Sequence, residues 1–314
     1  WASDPLSPEE TRRYARHLVL KGMGGSGQQA LKRARVLVVG AGGLGSPAIA
    51  YLAGAGVGRL GLVDPDAVSL SNLHRQVIHT QMGANKAESA GRFAHALNPH
   101  VEIVVHPERL DAGNAAGLIG DYDLVLDGTD NLATRRIVAA VAAALGKTLV
   151  AGAVSMFDGQ VTVFAPGGPR FGDLYPEEAD DADLPSCEAT GILGPLTGVI
   201  GTLMAMEAIK LVTGIGEPLI GREVSEHRAE HGQAHRRRGL EQHLHGPAPA
   251  APHHVVQRVH ARRHRGAQAP VRGVVQQAAC AAGRWWMLDG ALRRGSDDRE
   301  RCRHVPDTVG VRDA

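Results

Sequence analysis

Short, continuous runs of apolar residues recur along the first two thirds of the chain and predict the strands of a parallel sheet. Arg35–Val39 is a β-branched run that ends at Gly40, and Arg59–Asp64 is a second run of this kind. Such runs are typical of strands buried on both faces, because helices cover both sides of a parallel sheet. The segment between them, Gly42–Gly54, is predicted to be a helix, so the sheet begins with a βαβ unit.

The remaining elements are predicted from the same periodicities. Ser7 and Pro8 indicate the start of an N-terminal helix that continues to Leu18, because serine caps helices and proline suits their first position. Two further helices are predicted over Lys86–Leu97 and Gly191–Val212, and four further strands over Val101–Val105, Leu124–Asp127, Thr148–Val150 and Gln160–Phe164. The predicted fold class is α/β, a Rossmann-like, mostly parallel sheet flanked by helices.

The apolar periodicity ends at Arg222, and the composition changes there. Residues 223–314 hold ten of the sixteen histidines but no Lys, Ile, Phe, Tyr or Asn. The codons of these five residues are rich in A and T, so a GC-rich gene translated out of frame would explain their absence. A basic, low-complexity extension that binds RNA or anionic surfaces is the alternative. Both interpretations predict a folded domain over 1–222 and a disordered basic tail over 223–314.

The formal net charge of +1 averages two different parts. Residues 1–222 carry 18 lysines and arginines against 23 aspartates and glutamates, whereas residues 223–314 carry 16 against 10. We therefore expect neither a membrane nor a specific nucleic acid as a partner of the folded part. Three scattered cysteines predict no disulfide framework. The N-terminus lacks a signal-peptide pattern, and glycine and charge interrupt the longest apolar stretches, so a soluble, cytoplasmic protein is expected.

A glycine-rich motif indicates a nucleotide site. Gly40, Gly42, Gly43 and Gly45 follow the first strand and open the next helix, which is the context in which G-x-G-x-x-G binds phosphate at a helix N-terminus. Asp64, at the end of the second strand, is placed to bind ribose hydroxyls. These residues alone fit an NAD-dependent oxidoreductase equally well, and a tight glycine turn without a ligand is the structural alternative.

Charged residues farther along the chain favour phosphate chemistry over redox chemistry. Arg75 and Lys86 are predicted at the same sheet edge, where two cations suit phosphoryl or nucleotidyl transfer. Asp127, Asp130 and Asn131 end another strand with hard oxygen ligands suited to Mg²⁺. Each residue alone could be a surface charge or a helix cap. An NAD-dependent oxidoreductase leaves these residues without a role.

Five motifs together resemble the MoeB/ThiF/HesA family, which is related to ubiquitin-activating enzymes. They are Arg13–His17, Gly40–Pro47, Leu70–Gln76, Asp127–Asn131 and Cys187–Gly194, and the resemblance covers residues 8–222. Members of this family use ATP and Mg²⁺ to adenylate the C-terminal glycine of a ubiquitin-fold sulfur carrier protein and release pyrophosphate. The carrier is MoaD in molybdopterin biosynthesis and ThiS in thiazole biosynthesis. The resemblance therefore implies a MoaD-like carrier as the partner, with a ThiS-like carrier as the alternative.

The resemblance also implies roles for individual residues. Gly43 would lie against the phosphates, Asp64 would hold the ribose, and Asp130 would hold magnesium. Other implied nucleotide contacts are Ser71, Asn72, Arg75, Lys86 and Asn131. Arg16 would reach into the site of a neighbouring protomer, which implies a homodimer. A nucleotide-binding protein without catalysis is a further alternative.

Two further features of the sequence concern Cys187 and the zinc ligands of the family. Cys187 precedes a predicted helix start, where a lowered thiol pKa would favour nucleophilic chemistry, although a structural cysteine explains its position equally well. Many members have the first cysteine pair of a structural zinc site where this chain has Arg170–Asp173. No zinc is therefore expected. The closing strands that relatives have after this region are not recognisable beyond Arg222.

Overall fold

Seven strands form one mixed sheet in the computed structural model, which describes residues 5–175, 191–226, 285–288 and 291–294. The strand order is β3-β2-β1-β4-β5-β6-β7. The strands are β1 (Arg35–Val39), β2 (Arg59–Val63), β3 (Glu102–His106), β4 (Leu124–Asp127), β5 (Thr148–Ser155), β6 (Asp158–Phe164) and β7 (Glu223–Glu226). The first five strands of this order pair in parallel, and β6 and β7 pair antiparallel. The predicted Rossmann-like, mostly parallel sheet is confirmed.

Helices cover both faces of this sheet. They are α1 (Pro8–Arg13), α2 (Ala15–Leu18), α3 (Gly24–Arg33), α4 (Gly45–Ala55), α5 (Lys86–Leu97), α6 (Ala115–Gly120), α7 (Leu132–Ala144), α8 (Phe171–Leu174) and α9 (Gly194–Thr213). Alternate residues of β1 belong to two different apolar clusters. Val36 and Val38 pack with α4 and α9, whereas Leu37 and Val39 pack with α6 and α7. This burial on both faces explains the continuous apolar runs.

The N-terminal segment forms two helices where the sequence predicts one. Ser7 caps α1 as expected, because its hydroxyl accepts from the Glu10 N–H at 3.1 Å and the Glu10 carboxylate accepts from the Ser7 N–H at 2.7 Å. Tyr14 interrupts the helix with φ −94° and ψ 16°. The Tyr14 ring packs against Gly56, and its hydroxyl accepts a hydrogen bond from the Asn98 amide at 2.8 Å. Docking of this ring explains the break.

The helix α9 is the longest helix in the described part of the chain. It is long and apolar enough to cross a membrane by length and composition. Leu196, Ile200 and Met204 are nevertheless buried in the core, and α9 packs against α4, β5 and β6. Val199 and Met206 on the opposite side are about half exposed. The composition of α9 therefore reflects a core helix with one uncovered apolar stripe.

Ordered strands continue past the predicted domain boundary at Arg222. β7 pairs antiparallel with β6, with Val224 opposite Val161, so the expectation that no closing strand follows Arg222 is wrong at this position. Four residues are too few to show a period-2 pattern. Two more strands, β8 (Trp285–Leu288) and β9 (Ala291–Arg294), form a separate antiparallel hairpin within the predicted tail.

Candidate nucleotide-binding site

A cleft of about 220 Å³ opens at the carboxyl ends of the parallel strands. Its walls are the loop after β1, the turns after β2, β3 and β4, the first turns of α7, and Thr197 of α9. Ligands of doubly wound sheets bind at this edge, because the chain leaves adjacent central strands in opposite directions there. The topology alone therefore makes this cleft the first candidate for a binding site.

The four predicted glycines divide into two groups. Gly40, Gly42 and Gly43 line the cleft, whereas Gly45 does not. Gly40 has φ +91°, which disfavours any side chain. A Cβ on Gly45 would overlap the carbonyl oxygen of Gly40, so this glycine lets α4 approach the preceding loop. Gly45 thus occupies a packing position in this structure, whereas Gly42 and Gly43 are half-buried in the cleft wall.

Asp64 supports the glycine loop from below. Its side chain is 5% exposed, and its two oxygens accept from the Ala41 N–H at 2.8 Å and the Asp66 N–H at 2.9 Å. Burial raises the pKa of the Asp64 carboxyl, and the nearby Lys86 ammonium opposes this rise. A carboxylate has about four acceptor positions, so Asp64 can still accept from a ribose hydroxyl in the cleft.

Lys86 and Arg75 bring positive charge to the cleft, as the sequence predicts. Lys86 is the first residue of α5, and its ammonium lies 2.9 Å from the carboxylate of Asp66, a residue the sequence analysis missed. Arg75 is half-buried and donates to the Ser71 carbonyl at 2.9 Å. Both cations have partners that are themselves exposed, so an anionic ligand can compete for them.

Ser71 and Asn72 do not line the cleft. Ser71 is exposed, and Asn72 is buried with its side-chain oxygen accepting from the Ser69 N–H at 3.1 Å. Both residues belong to the 3₁₀ turn Leu70–Asn72 that precedes Arg75. In this structure they shape the turn that carries Arg75 and do not form part of the cleft wall.

The segment after β4 has three polar side chains with different environments. Asp127 is fully buried, and one of its oxygens accepts from the N–H and hydroxyl of Thr129 at 3.0 and 2.7 Å. Asp130 is exposed at the cleft. Asn131 also lines the cleft, but its side-chain oxygen caps α7 by accepting from the Thr134 N–H at 2.8 Å. Asp130 is therefore the carboxylate of this segment that a ligand can reach.

The residues of the cleft could hold a magnesium ion only together with the phosphates of a bound nucleotide. The described residues contain no group of three or more His, Cys, Asp or Glu side chains that could hold a metal ion. Magnesium commonly binds through one or two carboxylates together with substrate phosphates. Asp130 can supply such a carboxylate. Arg170 and Asp173, at the predicted position of missing zinc ligands, form the cap of α8.

Arg16 does not belong to this cleft. Arg16 is exposed on α2 and does not line the cleft of its own chain. Cys187 lies outside the described residues, so its predicted role stays a prediction. Arg109, Gln76 and Arg135 line the cleft but were not predicted as site residues. Arg109 lies just after β3. Its charge near the end of a strand is the one feature of the sequence that could have marked it.

His79 supports the glycine loop and was also missed. It is 4% exposed, and its Nε2 lies 2.8 Å from the Ala41 carbonyl while its Nδ1 lies 3.0 Å from the Ser89 hydroxyl. A carbonyl only accepts, so Nε2 donates, and the neutral ring accepts from Ser89 at Nδ1. Burial lowers the pKa of His79, and the Lys86 charge lowers it further. No spacing in the sequence marks such a residue.

The lowered pKa of His79 predicts a loss of stability in mild acid. Between the folded pKa and the unfolded value of about 6.5, the unfolded chain binds more protons, so the free energy of unfolding falls with decreasing pH. The maximum slope from one group is about 1.4 kcal/mol per pH unit. The free energy of unfolding in urea, measured from pH 7.5 to 5, is expected to fall less steeply with decreasing pH for His79→Gln than for the unaltered protein. The exposed His95→Gln variant is the control, and equal slopes in all three proteins would contradict this expectation.

The fold and the cleft define a Rossmann-like protein with a polar cleft at the carboxyl edge of its sheet. A family model described as the ThiF family matches residues 14–245. The chain therefore belongs to the ThiF family. This match confirms the resemblance stated from the motifs, and its end lies beyond the predicted boundary at Arg222.

Curated relatives share about half of the aligned residues. The chain is 50% identical over 224 residues to a protein of Mycobacterium tuberculosis described as a probable adenylyltransferase/sulfurtransferase, MoeZ, with 69% of this chain and 57% of MoeZ covered. It is 48% identical over 221 residues to a sulfur carrier protein adenylyltransferase of Thermus thermophilus, with 68% and 82% covered. It is 47% identical over 216 residues to the adenylyltransferase and sulfurtransferase UBA4 of Candida albicans, with 67% and 49% covered. The chain thus spans only about half the length of MoeZ and UBA4.

Solved structures confirm the fold. PaaA has a TM-score of 0.61 at 23% identity, with 72% of each chain covered. MccB of E. coli, in a crystal structure with ATP, has a TM-score of 0.61 at 21% identity, with 70% of this chain and 69% of MccB covered. At these identities the likeness concerns the arrangement of strands and helices.

Proposed function

We propose that this chain is an ATP-dependent adenylyltransferase that acts on the C-terminal glycine carboxylate of a ubiquitin-fold sulfur carrier protein. The observation that carries this proposal is the cleft itself. It combines the glycine loop at Gly42 and Gly43, the buried Asp64, the cations Arg75 and Lys86, and the reachable carboxylate of Asp130. The names of the Mycobacterium and Thermus relatives support the same activity. A NAD-dependent oxidoreductase would use the glycine loop and Asp64 but not the other three residues.

The chemistry needs charge stabilisation more than proton transfer. An oxygen of the carrier carboxylate forms a bond to the α-phosphorus of ATP, and the bond from that phosphorus to the pyrophosphate oxygen breaks. The carboxylate is ionised at neutral pH and needs no general base. Negative charge grows on the phosphate oxygens and on the departing pyrophosphate, where Arg75 and Lys86 would offset it. Magnesium, bound with ATP near Asp130, would neutralise further phosphate charge.

The carrier is proposed to be MoaD-like, which would place the reaction in molybdopterin biosynthesis. A ThiS-like carrier is the alternative, and the relatives' names do not distinguish the two. ATP–pyrophosphate exchange measured with each purified carrier tests both points. Exchange that depends on one carrier supports the activity and identifies the partner. Absence of exchange with either carrier, together with intact ATP binding, would favour a nucleotide-binding protein without catalysis.

We infer that two copies of the chain assemble and that Arg16 of each copy completes the cleft of the other. Arg16 is exposed and lies outside the cleft of its own chain, and the apolar side chains of Val19 and Leu20 next to it are 78% and 53% exposed. Exposed apolar groups beside a functional cation are typical of an interface that a second copy covers. Magnesium and ATP would then lie between residues of both copies.

Mixing two inactive variants tests this arrangement. Arg16→Ala and Arg75→Ala should each lack exchange activity, whereas their unfolded and refolded mixture should regain about a quarter of it. Half of the dimers are then mixed, and one of the two clefts in each mixed dimer has both arginines. The matched control mixes Arg75→Ala with Lys86→Ala. Both residues act in the cleft of their own copy, so each cleft of a mixed dimer lacks one of them and the mixture should stay inactive. Equal activity of both mixtures would contradict the role of Arg16 across the interface.

A further inference from the structure

Arg135 is a buried arginine at the floor of the cleft. It lies on the first turn of α7, is 4% exposed, and forms part of the cleft wall. Its Nε donates to the Thr129 carbonyl at 3.0 Å, and its Nη2 donates to that carbonyl and to the Gly152 carbonyl, the latter at 2.7 Å. Backbone carbonyls of the loop after β4 and of the interior of β5 therefore fix the guanidinium in place.

Within the described residues, no carboxylate forms a direct ion pair with this guanidinium. Among the ion pairs of the described residues, Lys86 is bound to Asp66, but Arg135 belongs to none. The buried Asp127 interacts electrostatically with Arg135; one of its oxygens is occupied by Thr129, and its other oxygen has no hydrogen-bond partner. Burial raises the pKa of Asp127, and Arg135 opposes this rise. Asp127 does not line the cleft.

A fixed cation with hydrogen-bonded neutral partners creates a positive potential in the adjacent cavity. Removing a charge from water is costly, and an anionic ligand in the cavity would offset that cost for a buried cation without a direct ion pair. Electrostatic groups that are already oriented need no rearrangement when the ligand arrives. The position of Arg135 is therefore that of a binding group for negative charge.

On the basis of the proposed function, we propose that Arg135 is a further anion-binding residue of the cleft, which contributes fixed positive charge for the phosphates of the nucleotide. It differs from Arg75 and Lys86 because backbone carbonyls hold it rigidly, whereas those two cations exchange exposed partners for the ligand. Arg135 thereby favours nucleotides over nucleosides, and its contribution exists before the carrier protein binds.

Calorimetric affinities of ATP and adenosine, measured without added metal at low salt, test this role. Arg135→Gln is expected to lower the affinity for ATP at least about tenfold, since it removes a charge-assisted interaction. Its affinity for adenosine should change by less than about twofold, which also shows that the cleft remains folded. Asp127→Asn is the matched control, because it removes the neighbouring acid and leaves the cation. Its ratio of ATP to adenosine affinity should stay the same or rise.

A second variant covers the case in which Arg135→Gln does not fold. The double variant Asp127→Asn/Arg135→Gln removes both buried charges and leaves no unpaired ion, and it is expected to lose the preference for ATP as the single variant does. An unchanged ratio in either folded variant would overturn the role of Arg135. If the unaltered protein bound ATP no better than adenosine, the role of Arg135 would fail; if it bound ATP well but catalysed no exchange with any carrier, only the proposed function would fail.

Discussion

Arg75→Ala is expected to lower carrier-dependent ATP–pyrophosphate exchange by at least about a hundredfold. Removing one group that stabilises charge in a transition state commonly has an effect of this order. The Arg75 side chain is half-buried in the cleft wall, and it forms hydrogen bonds with the Ser71 carbonyl and the His74 ring. Since both partners are exposed, truncation should change the free energy of unfolding by less than about 1 kcal/mol.

The matched control is an exposed arginine outside the cleft. Arg92→Ala removes an arginine on α5 that lies 4.0 Å from Glu88 in a surface ion pair. Such pairs contribute little, so exchange should stay within about twofold of the unaltered protein. If Arg75→Ala kept exchange within about threefold, the charge-stabilising role of Arg75 would be wrong.

The largest expected loss of stability follows from Gly45→Ala. A Cβ at this position would overlap the carbonyl oxygen of Gly40, and the backbone of the glycine loop would have to move. Overpacking against backbone commonly costs about 1–3 kcal/mol or more, so the free energy of unfolding in urea should fall by at least about 2 kcal/mol. Displacement of the loop should also weaken ATP binding.

Gly54→Ala in the same helix is the control. A Cβ on Gly54 would meet only Leu97 at 4.0 Å, an ordinary contact. Alanine is the better helix former, so this variant should be more stable than the unaltered protein by up to about 1 kcal/mol. Equal effects of the two substitutions would show that close packing of α4 against the loop is not what requires glycine at position 45.

Two strands and one capped helix could be predicted with their bounds from local sequence. β1 and β4 have the predicted bounds. The apolar residues of each strand are buried on both faces of the sheet, and a charged residue, Arg35 or Asp127, stands at one end of the run. The bounds of α5 are also confirmed, since the Asn85 side chain caps it by accepting from the Glu88 N–H at 3.1 Å. These signals lie within a few residues of the elements they define.

Other elements depend on contacts between distant residues. α3 begins with glycines and therefore lacks helix propensity, but Gln28 within it donates to the Ala55 carbonyl at 2.8 Å and Leu31 is fully buried. β5 continues past the predicted end at Val150 to Ser155, where its residues pair with β6 and α9 packs closely on Gly152. Tertiary packing thus decides where these elements occur and end.

The residues of the cleft likewise divide into those that local sequence signals predict and those that depend on contacts between distant residues. Asp64, Arg75 and Lys86 could be predicted because strand ends of a parallel sheet meet at one edge. His79 and Arg135 could not, because their roles come from hydrogen bonds to Ala41 and Gly152, far away in the chain. Ser71 and Asn72 were assigned to the nucleotide but lie outside the cleft wall. Motif membership alone does not separate a wall residue from the turn that supports it.

The central claim is that the chain forms a carboxyl adenylate on a sulfur carrier protein. Intact-mass spectrometry of the carrier, after incubation with ATP, magnesium and the full chain but without a thiol acceptor, tests it most directly. We expect a carrier heavier by one adenylate, a product that is absent when the carrier lacks its C-terminal glycine and strongly reduced with Arg75→Ala. If the mass of both MoaD-like and ThiS-like carriers stayed unchanged under conditions where ATP is bound, the chain would not be an adenylyltransferase of these carriers.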